Sequence, residues 1–199
     1  IAEEACEELG LEKVLLIPGS LPPHKSKREI SPFTDRFAMT RLAAEASPFL
    51  EASDLEGRRE GFSYSIDTLR EVHRIYGQGI ELFFIIGIDA FLEIRTWKRY
   101  KELFRETNFA VIKRPGFPDE EFGPTLLSMG LGFKPAGKNG LYESPSLGHS
   151  VIYKELTLFS ISSTRIRELA AAGRSIRFLA PEPVRSYIKE KGLYLNGRS

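Results

Sequence analysis

The 199-residue sequence predicts an α/β fold, a parallel sheet with helices on both faces. Three observations carry this. Short apolar runs, too brief for helices, recur as "KVLLIPG", "IELFFIIG" and "NFAVIKRPG", the first and last closed by proline and glycine and the second by glycine. Between them lie stretches with apolar residues at helical spacing, such as "SYSIDTLREVHRIYG", which puts Ile66, Leu69, Val72 and Ile75 on one face. Strands and helices alternate, and right-handed crossovers between successive strands make them parallel. The expectation is a Rossmann-like architecture forming a single domain over residues 1–199.

In order, "IAEEACEELG" reads as a helix with Ile1, Ala2, Ala5, Cys6 and Leu9 on its apolar face and Gly10 at its end. "KVLLIPG" follows as a buried strand. "SPFTDRFAMTRLAAEAS" opens with Ser31 as expected N-cap and Pro32 in the first helical position, and its face is Phe33, Phe37, Leu42 and Ala46. A short strand at residues 49–52 comes next, then the helix of "SYSIDTLREVHRIYG", ended by Gly77. "IELFFIIG" carries the strongest buried-strand signal. "WKRYKELFRET" is a polar-faced helix and "NFAVIKRPG" a strand. Residues 117–150 show no sustained period and are expected to form a variable loop with one short helix inside it. "VIYKELTLF" is the last strand, "SSTRIRELAAAG" a helix stopped by Gly173, and "PEPVRSYIKEKGLY" the closing helix, with Pro181 near its start.

Composition narrows the function. Lys and Arg number 28 against 27 Asp and Glu, so there is no basic excess to drive nucleic-acid or membrane-surface binding. The only cysteine, Cys6, allows no internal disulfide and fits a reducing, cytoplasmic setting. The longest apolar run, "LFFIIGI", falls well short of the roughly 20 residues of a membrane-spanning helix.

In open parallel sheets ligands bind beyond the carboxyl ends of the strands, so the residues following each apolar run form one rim. Here they are His24 and Lys25 in "SLPPHK", Asp89 after "FFIIG", Arg114 after "AVIK", and Ser162, Ser163, Thr164 and Arg167 in "SSTRIR". A helix N-terminus with free N–H groups, followed by arginines, suits phosphate. The same hydroxyls are also ordinary helix caps. Arg165 and Arg167 equally suit a solvated face, and only one of them is expected to point at the rim. Gly87 leaves room for a nucleotide beside the backbone, and Asp89 there suits a ribose hydroxyl or Mg²⁺, or a simple cap. Taken alone, Trp97 reads as a core anchor, and His73 and His149 as surface residues. No nucleophile–base pair, metal-ligand spacing or glycine-rich phosphate loop is present. This favours direct transfer, in which the protein positions and neutralises phosphates.

"IPGSLPPHK", "GFSYSIDTL", "FFIIGIDAF", "TWKRYKELF", "VIKRPG", "ISSTRIREL" and "PEPVRSYIKEKGLY" occur in the order found in bacterial nicotinate mononucleotide adenylyltransferases, which the sequence resembles over nearly its whole length. These enzymes belong to the nucleotidyltransferase superfamily, marked by the "ISSTRIR" box. The resemblance implies condensation of nicotinate mononucleotide with ATP, giving deamido-NAD and pyrophosphate in NAD biosynthesis with Mg²⁺ as helper. It implies that Ser162, Ser163, Thr164 and Arg167 hold ATP and that His24 and Lys25 act on its phosphates as the catalytic loop. It also puts Asp89 where the two sugars meet, stacks Trp97 on the pyridine ring, brings the nicotinate carboxylate to Tyr64, Ser65 and Lys98, and places Arg114 as nearby positive charge. ATP and nicotinate mononucleotide are the implied partners, with no resident metal and with homo-oligomer formation open.

The family opens with a strand, Gly-Gly-Thr-Phe-Asp-Pro and His-x-Gly-His, and nothing here matches that box. Ile1 falls in the helix that follows it, so the chain is expected to be cut just downstream. Such a piece is expected to be inactive by itself, since losing one transition-state donor costs about 10² to 10³ in rate. Its absent strand would be the central one, and a poorly soluble or molten state is expected from unpaired neighbours. Two alternatives stay open: a sister adenylyltransferase for another phosphate acceptor, and a non-catalytic nucleotide-binding or regulatory module.

Overall fold

The computed structural model describes residues 1–23, 30–137, 140–157 and 161–195. The chain divides into two compact units, one built from Ile1–Ser63 and Phe159–Ser199, the other from Tyr64–Leu158.

In the first unit, α1 (Ala2–Glu8) buries Ala5 and Cys6, and β1 (Val14–Leu16) pairs in parallel with β2 (Leu50–Ala52), Val14 opposite Leu50. Between them α2 (Phe33–Ala44) starts one residue later than the sequence suggests. Pro32, at φ −47° and ψ 139°, is the N-cap, and no side chain caps the helix. The apolar face also differs from expectation. Phe33 and Phe37 stack on each other at 6.0 Å, and Ala44 is the buried helical residue. A Cβ on Gly57 would fall 2.0 Å from the Phe33 ring, so the ring settles over that glycine.

The second unit begins with α3 (Ser65–Tyr76), which buries Ile66, Leu69 and Val72 as its period predicts, whereas Ile75 is exposed. β3 (Phe83–Gly87), α4 (Ile88–Leu92), a 3₁₀ turn (Ile94–Thr96), α5 (Tyr100–Glu106) and β4 (Asn108–Ile112) follow. All five β4 residues are buried, and Phe91, Phe104 and Phe109 form a fully buried aromatic centre, with Phe104 and Phe109 4.5 Å apart.

The segment 117–150 is more ordered than its sequence suggests. It contains α6 (Phe122–Leu127), β5 (Lys134–Pro135) and β6 (Leu141–Ser144), and β6 forms a hairpin with β7 (His149–Lys154). The sheet order is β3-β4-β7-β6-β5, parallel from β3 to β7 and antiparallel beyond. Strands of two to four residues are too short to show a period, and their stability comes from tertiary packing. Phe122 stacks on Tyr153 at 4.8 Å and meets Tyr142 edge-on at 5.6 Å.

The chain then returns to the first unit with α7 (Ser163–Ala171) and α8 (Glu182–Glu190). Gly173, at φ 65°, provides the left-handed residue that lets Arg174 N–H return to the Leu169 carbonyl and close α7. Leu169, Ile176, Val184 and Ile188 form the small core here, with Met39 and Leu42 of α2 against it. Among the described residues no helix is long and apolar enough to cross a membrane.

Candidate active site

The carboxyl ends of β3 and β4 bring Gly87, Asp89 and Arg114 together. Asp89 stands in the first turn after β3, and its Oδ2 accepts from Arg114 Nη1 at 3.0 Å across 25 residues of sequence. Its other oxygen, Oδ1, is buried and has no hydrogen-bond partner among the described residues. A buried carboxylate oxygen without a donor is costly unless a ligand completes it, so this atom marks a place for a hydroxyl or a cation. Gly87 is required here by space. Its φ of −72° and ψ of 150° suit any residue, but a Cβ would fall 2.4 Å from Asp89 Oδ1 and 2.7 Å from Arg114 Nε.

A second cluster lies around the turn between the 3₁₀ turn and α5. Trp97 is half-buried, edge-on to Phe84 at 6.1 Å, so it is neither a closed core residue nor a free surface one. Lys98 Nζ sits 4.0 Å over the Tyr64 ring and 3.1 Å from Asp67 Oδ2. Tyr64 is the N-cap of α3, and no side chain caps that helix. The first N–H groups of any helix lack intrahelical partners, so the amides of Ser65 and Ile66 are suited to an anion beside the Lys98 ammonium. Tyr64, Ser65, Trp97 and Lys98 are thus neighbours along this end of the unit.

In the other unit, Ser162 is the N-cap of α7, its Oγ accepting from Arg165 N at 3.1 Å. The capping role is therefore real, and the hydroxyl proton stays available to a ligand. Ser163 and Thr164 are exposed on the first turn. The two arginines differ in their partners. Arg165 pairs with Glu168 at 3.4 Å, whereas Arg167 touches only the Thr164 hydroxyl, at 3.2 Å, and meets no carboxylate among the described residues. His24 and Lys25 lie outside the described residues.

Some polar residues with long-range partners carry no local sequence signal. Arg36 donates to the carbonyls of Gly19, Ser20 (2.9 Å) and Ser31 (2.9 Å), joining the strand-end loop to the start of α2, and burial pulls its guanidinium below the usual range. His73 is a correction to the surface reading. It is 8% exposed, and its Nε2–H donates to the Glu106 carbonyl at 2.6 Å, while His149 donates to the Arg105 carbonyl at 3.0 Å. Both imidazoles cap the last turn of α5. They also border a cleft of about 650 Å³ at the amino ends of β3 and β4, opposite the end where such sheets bind ligands.

Among the described residues no group of three or more His, Cys, Asp or Glu side chains could hold a metal ion. One carboxylate with an unpaired oxygen fits a cation that arrives bound to substrate phosphates, the usual mode for Mg²⁺.

Comparison with known proteins gives the family. The family described as cytidylyltransferase-like matches residues 1–169. A protein of Geotalea daltonii named "Probable nicotinate-nucleotide adenylyltransferase" is 43% identical over 100% of this chain and 91% of its own length. A counterpart of the same name from Geobacter metallireducens is 42% identical with the same coverage. Among solved structures, the nicotinic acid mononucleotide adenylyltransferase of Plasmodium falciparum complexed with NaAD shares the fold at TM-score 0.67 and 18% identity, over 92% of this chain and 83% of that one. By these similarities the chain belongs to the cytidylyltransferase-like family and, within it, to the nicotinate-nucleotide adenylyltransferases.

Proposed function

We propose that the protein transfers the adenylyl group of ATP to nicotinate mononucleotide, releasing pyrophosphate and forming deamido-NAD in NAD biosynthesis. The observation that carries this reading is the 43% identity, along the entire chain, to a relative named for that activity. A phosphate oxygen of the mononucleotide attacks the α-phosphorus of ATP, and the bond from that phosphorus to the pyrophosphate oxygen breaks in the same direct displacement. No protein nucleophile takes part, so catalysis consists of alignment and charge stabilisation.

The residues divide the task by position. Arg167 and the first turn of α7, Ser162 to Thr164, receive ATP phosphates, with His24 and Lys25 assisting from the strand-end loop. The unpaired oxygen of Asp89 takes a sugar hydroxyl while Arg114 balances its charge. The exposed part of Trp97 stacks on the pyridine ring, and Lys98 with the amides at the start of α3 receives the ring carboxylate. The amide substrate would bring an N–H₂ donor to these donors, leaving groups unpaired, which favours the acid. Mg²⁺ carried in by ATP would neutralise phosphate charge.

The test is pyrophosphate release from ATP with nicotinate mononucleotide or nicotinamide mononucleotide as acceptor. A kcat/KM at least about tenfold higher for the acid supports the reading, because one mismatched polar group is worth about that much or more. Equal rates with both acceptors would overturn it.

A further inference from the structure

Beginning at its N-cap, α3 presents a polar residue toward the segment 98–106 at every third position: Tyr64, Asp67, Arg70 and His73. Tyr64 and Asp67 hold Lys98, at 4.0 and 3.1 Å. Arg70 donates through Nη2 to Glu102 Oε2 at 2.7 Å and through Nε to Glu106 Oε1 at 3.0 Å. His73 fixes the Glu106 carbonyl. Together these contacts form a ladder from the turn after Trp97 to the end of α5.

Exposed ion pairs add little to global stability, so stability alone is a poor reason for such a ladder. What it spans is a strained residue. Arg99, directly after Trp97 and Lys98, is the N-cap of α5 in the left-handed region, at φ 54° and ψ 39°. A residue with a Cβ adopts that conformation only when its surroundings enforce it. Glu102 is the enforcing group. Its Oε1 accepts from Arg99 Nε at 2.7 Å and its Oε2 accepts from Arg70 at 2.7 Å, so one carboxylate ties the strained turn to α3.

We propose that Arg70 and Glu102 are positioning residues for the acceptor nucleotide, holding the Arg99 turn left-handed so that Trp97 and Lys98 meet the ring and its carboxylate. This rests on the reading of Trp97 and Lys98 given under the proposed function. Neither Arg70 nor Glu102 touches substrate; they act through the turn.

Trp97 is the sole tryptophan, so its fluorescence reports acceptor binding directly. The experiment titrates the full chain, without ATP, with nicotinate mononucleotide and separately with nicotinamide mononucleotide, in wild type, Arg70→Met, Glu102→Gln and the double variant Arg70→Met/Arg99→Asn. Thermal unfolding of each variant checks that it folds. Arg70→Met and Glu102→Gln should each weaken binding of the acid about 5- to 30-fold, the range expected when local backbone strain is released, and should narrow the acid-to-amide ratio. Asparagine tolerates the left-handed region, so the double variant should return the acid affinity to within about threefold of wild type. Acid affinity within twofold of wild type in both single variants would overturn the proposal. So would a loss that Arg99→Asn fails to restore, because the ladder would then act by another route. If wild-type Trp97 does not respond to nicotinate mononucleotide at all, the functional reading fails first and the proposal falls with it.

Discussion

Replacing Gly87 with alanine should cripple activity while leaving the protein folded. The added Cβ would lie 2.4 Å from Asp89 Oδ1, where ordinary contact begins at 3.4 Å, so the carboxylate must retreat by about 1 Å. It would also press on Arg114, at 2.7 Å from Nε and 3.2 Å from Cδ. A displacement of about 1 Å in a positioning group costs on the order of 100-fold in rate. Stability should change much less. Overpacking costs about 1–3 kcal/mol. Here the displaced side chains are 31% and 53% exposed and can yield outward, which keeps the cost near the low end. Alanine also removes about 0.4–1 kcal/mol of unfolded-chain entropy at a backbone geometry it accepts, φ −72° and ψ 150°. The net is about 0–1 kcal/mol, or at most about 4 °C in Tm. The assay is kcat/KM for pyrophosphate release alongside a thermal melt. A kcat/KM within about threefold of wild type would refute the claim that Gly87 is kept small for the Asp89–Arg114 pair. A fall in Tm beyond about 10 °C would refute it too, by showing that the glycine serves the core.

Three further outcomes are expected. Ser162→Ala removes the α7 cap, at a cost of about 1 kcal/mol, and a thermal melt should drop by about 2–4 °C while KM for ATP rises; a rise in KM without the stability loss would place Ser162 outside the capping role. Arg36→Met strips donors from the carbonyls of Gly19, Ser20 and Ser31 and should cost about 1.5–3 kcal/mol in denaturant unfolding, an unchanged midpoint being the contrary result. The Lys113 ammonium, 2.8 Å away, together with the Tyr153 hydroxyl, holds the Asp119 carboxyl below its ordinary range. A depressed folded pKa stabilises above the unfolded value of about 3.9 and is lost as pH falls through the folded one. The Tm gap between wild type and Asp119→Asn should therefore be widest at neutral pH and close in acid below about pH 4, and a gap independent of pH would count against the cluster.

Part of the candidate site's local geometry could be read from local pattern. "FFIIGIDAF" gives a buried strand, a glycine and a carboxylate within a few residues, and the structure places Asp89 at that strand end. "SSTRIREL" identifies its own helix and its own cap, and Ser162 does cap α7. Ile66, Leu69 and Val72 announce the buried face of α3 because helical spacing alone puts them together. Such features depend on residues within about one turn of each other, which is the range over which a sequence records its own geometry.

What lay beyond that range was settled by packing. The strands within residues 117–150 are too short for a period and exist because Phe122 fits between Tyr142 and Tyr153 and because β6 pairs with β7. His73 looked like a surface residue because nothing near it in sequence shows that the end of α5, 33 residues away, needs a donor. The partnership of Asp89 with Arg114 spans 25 residues and that of Arg70 with Glu102 spans 32. The left-handed turn at Arg99 has no glycine to announce it. By itself the sequence determined the parallel α/β class, the ends of β3 and β4 and the Ser162 cap of α7, all products of local spacing, whereas the expected Ser31 cap of α2 gave way to Pro32 and the last strand ends at Lys154. Tertiary structure alone decided which charges meet across helices and which backbone strain they restrain, because those contacts arise only once distant segments share a core.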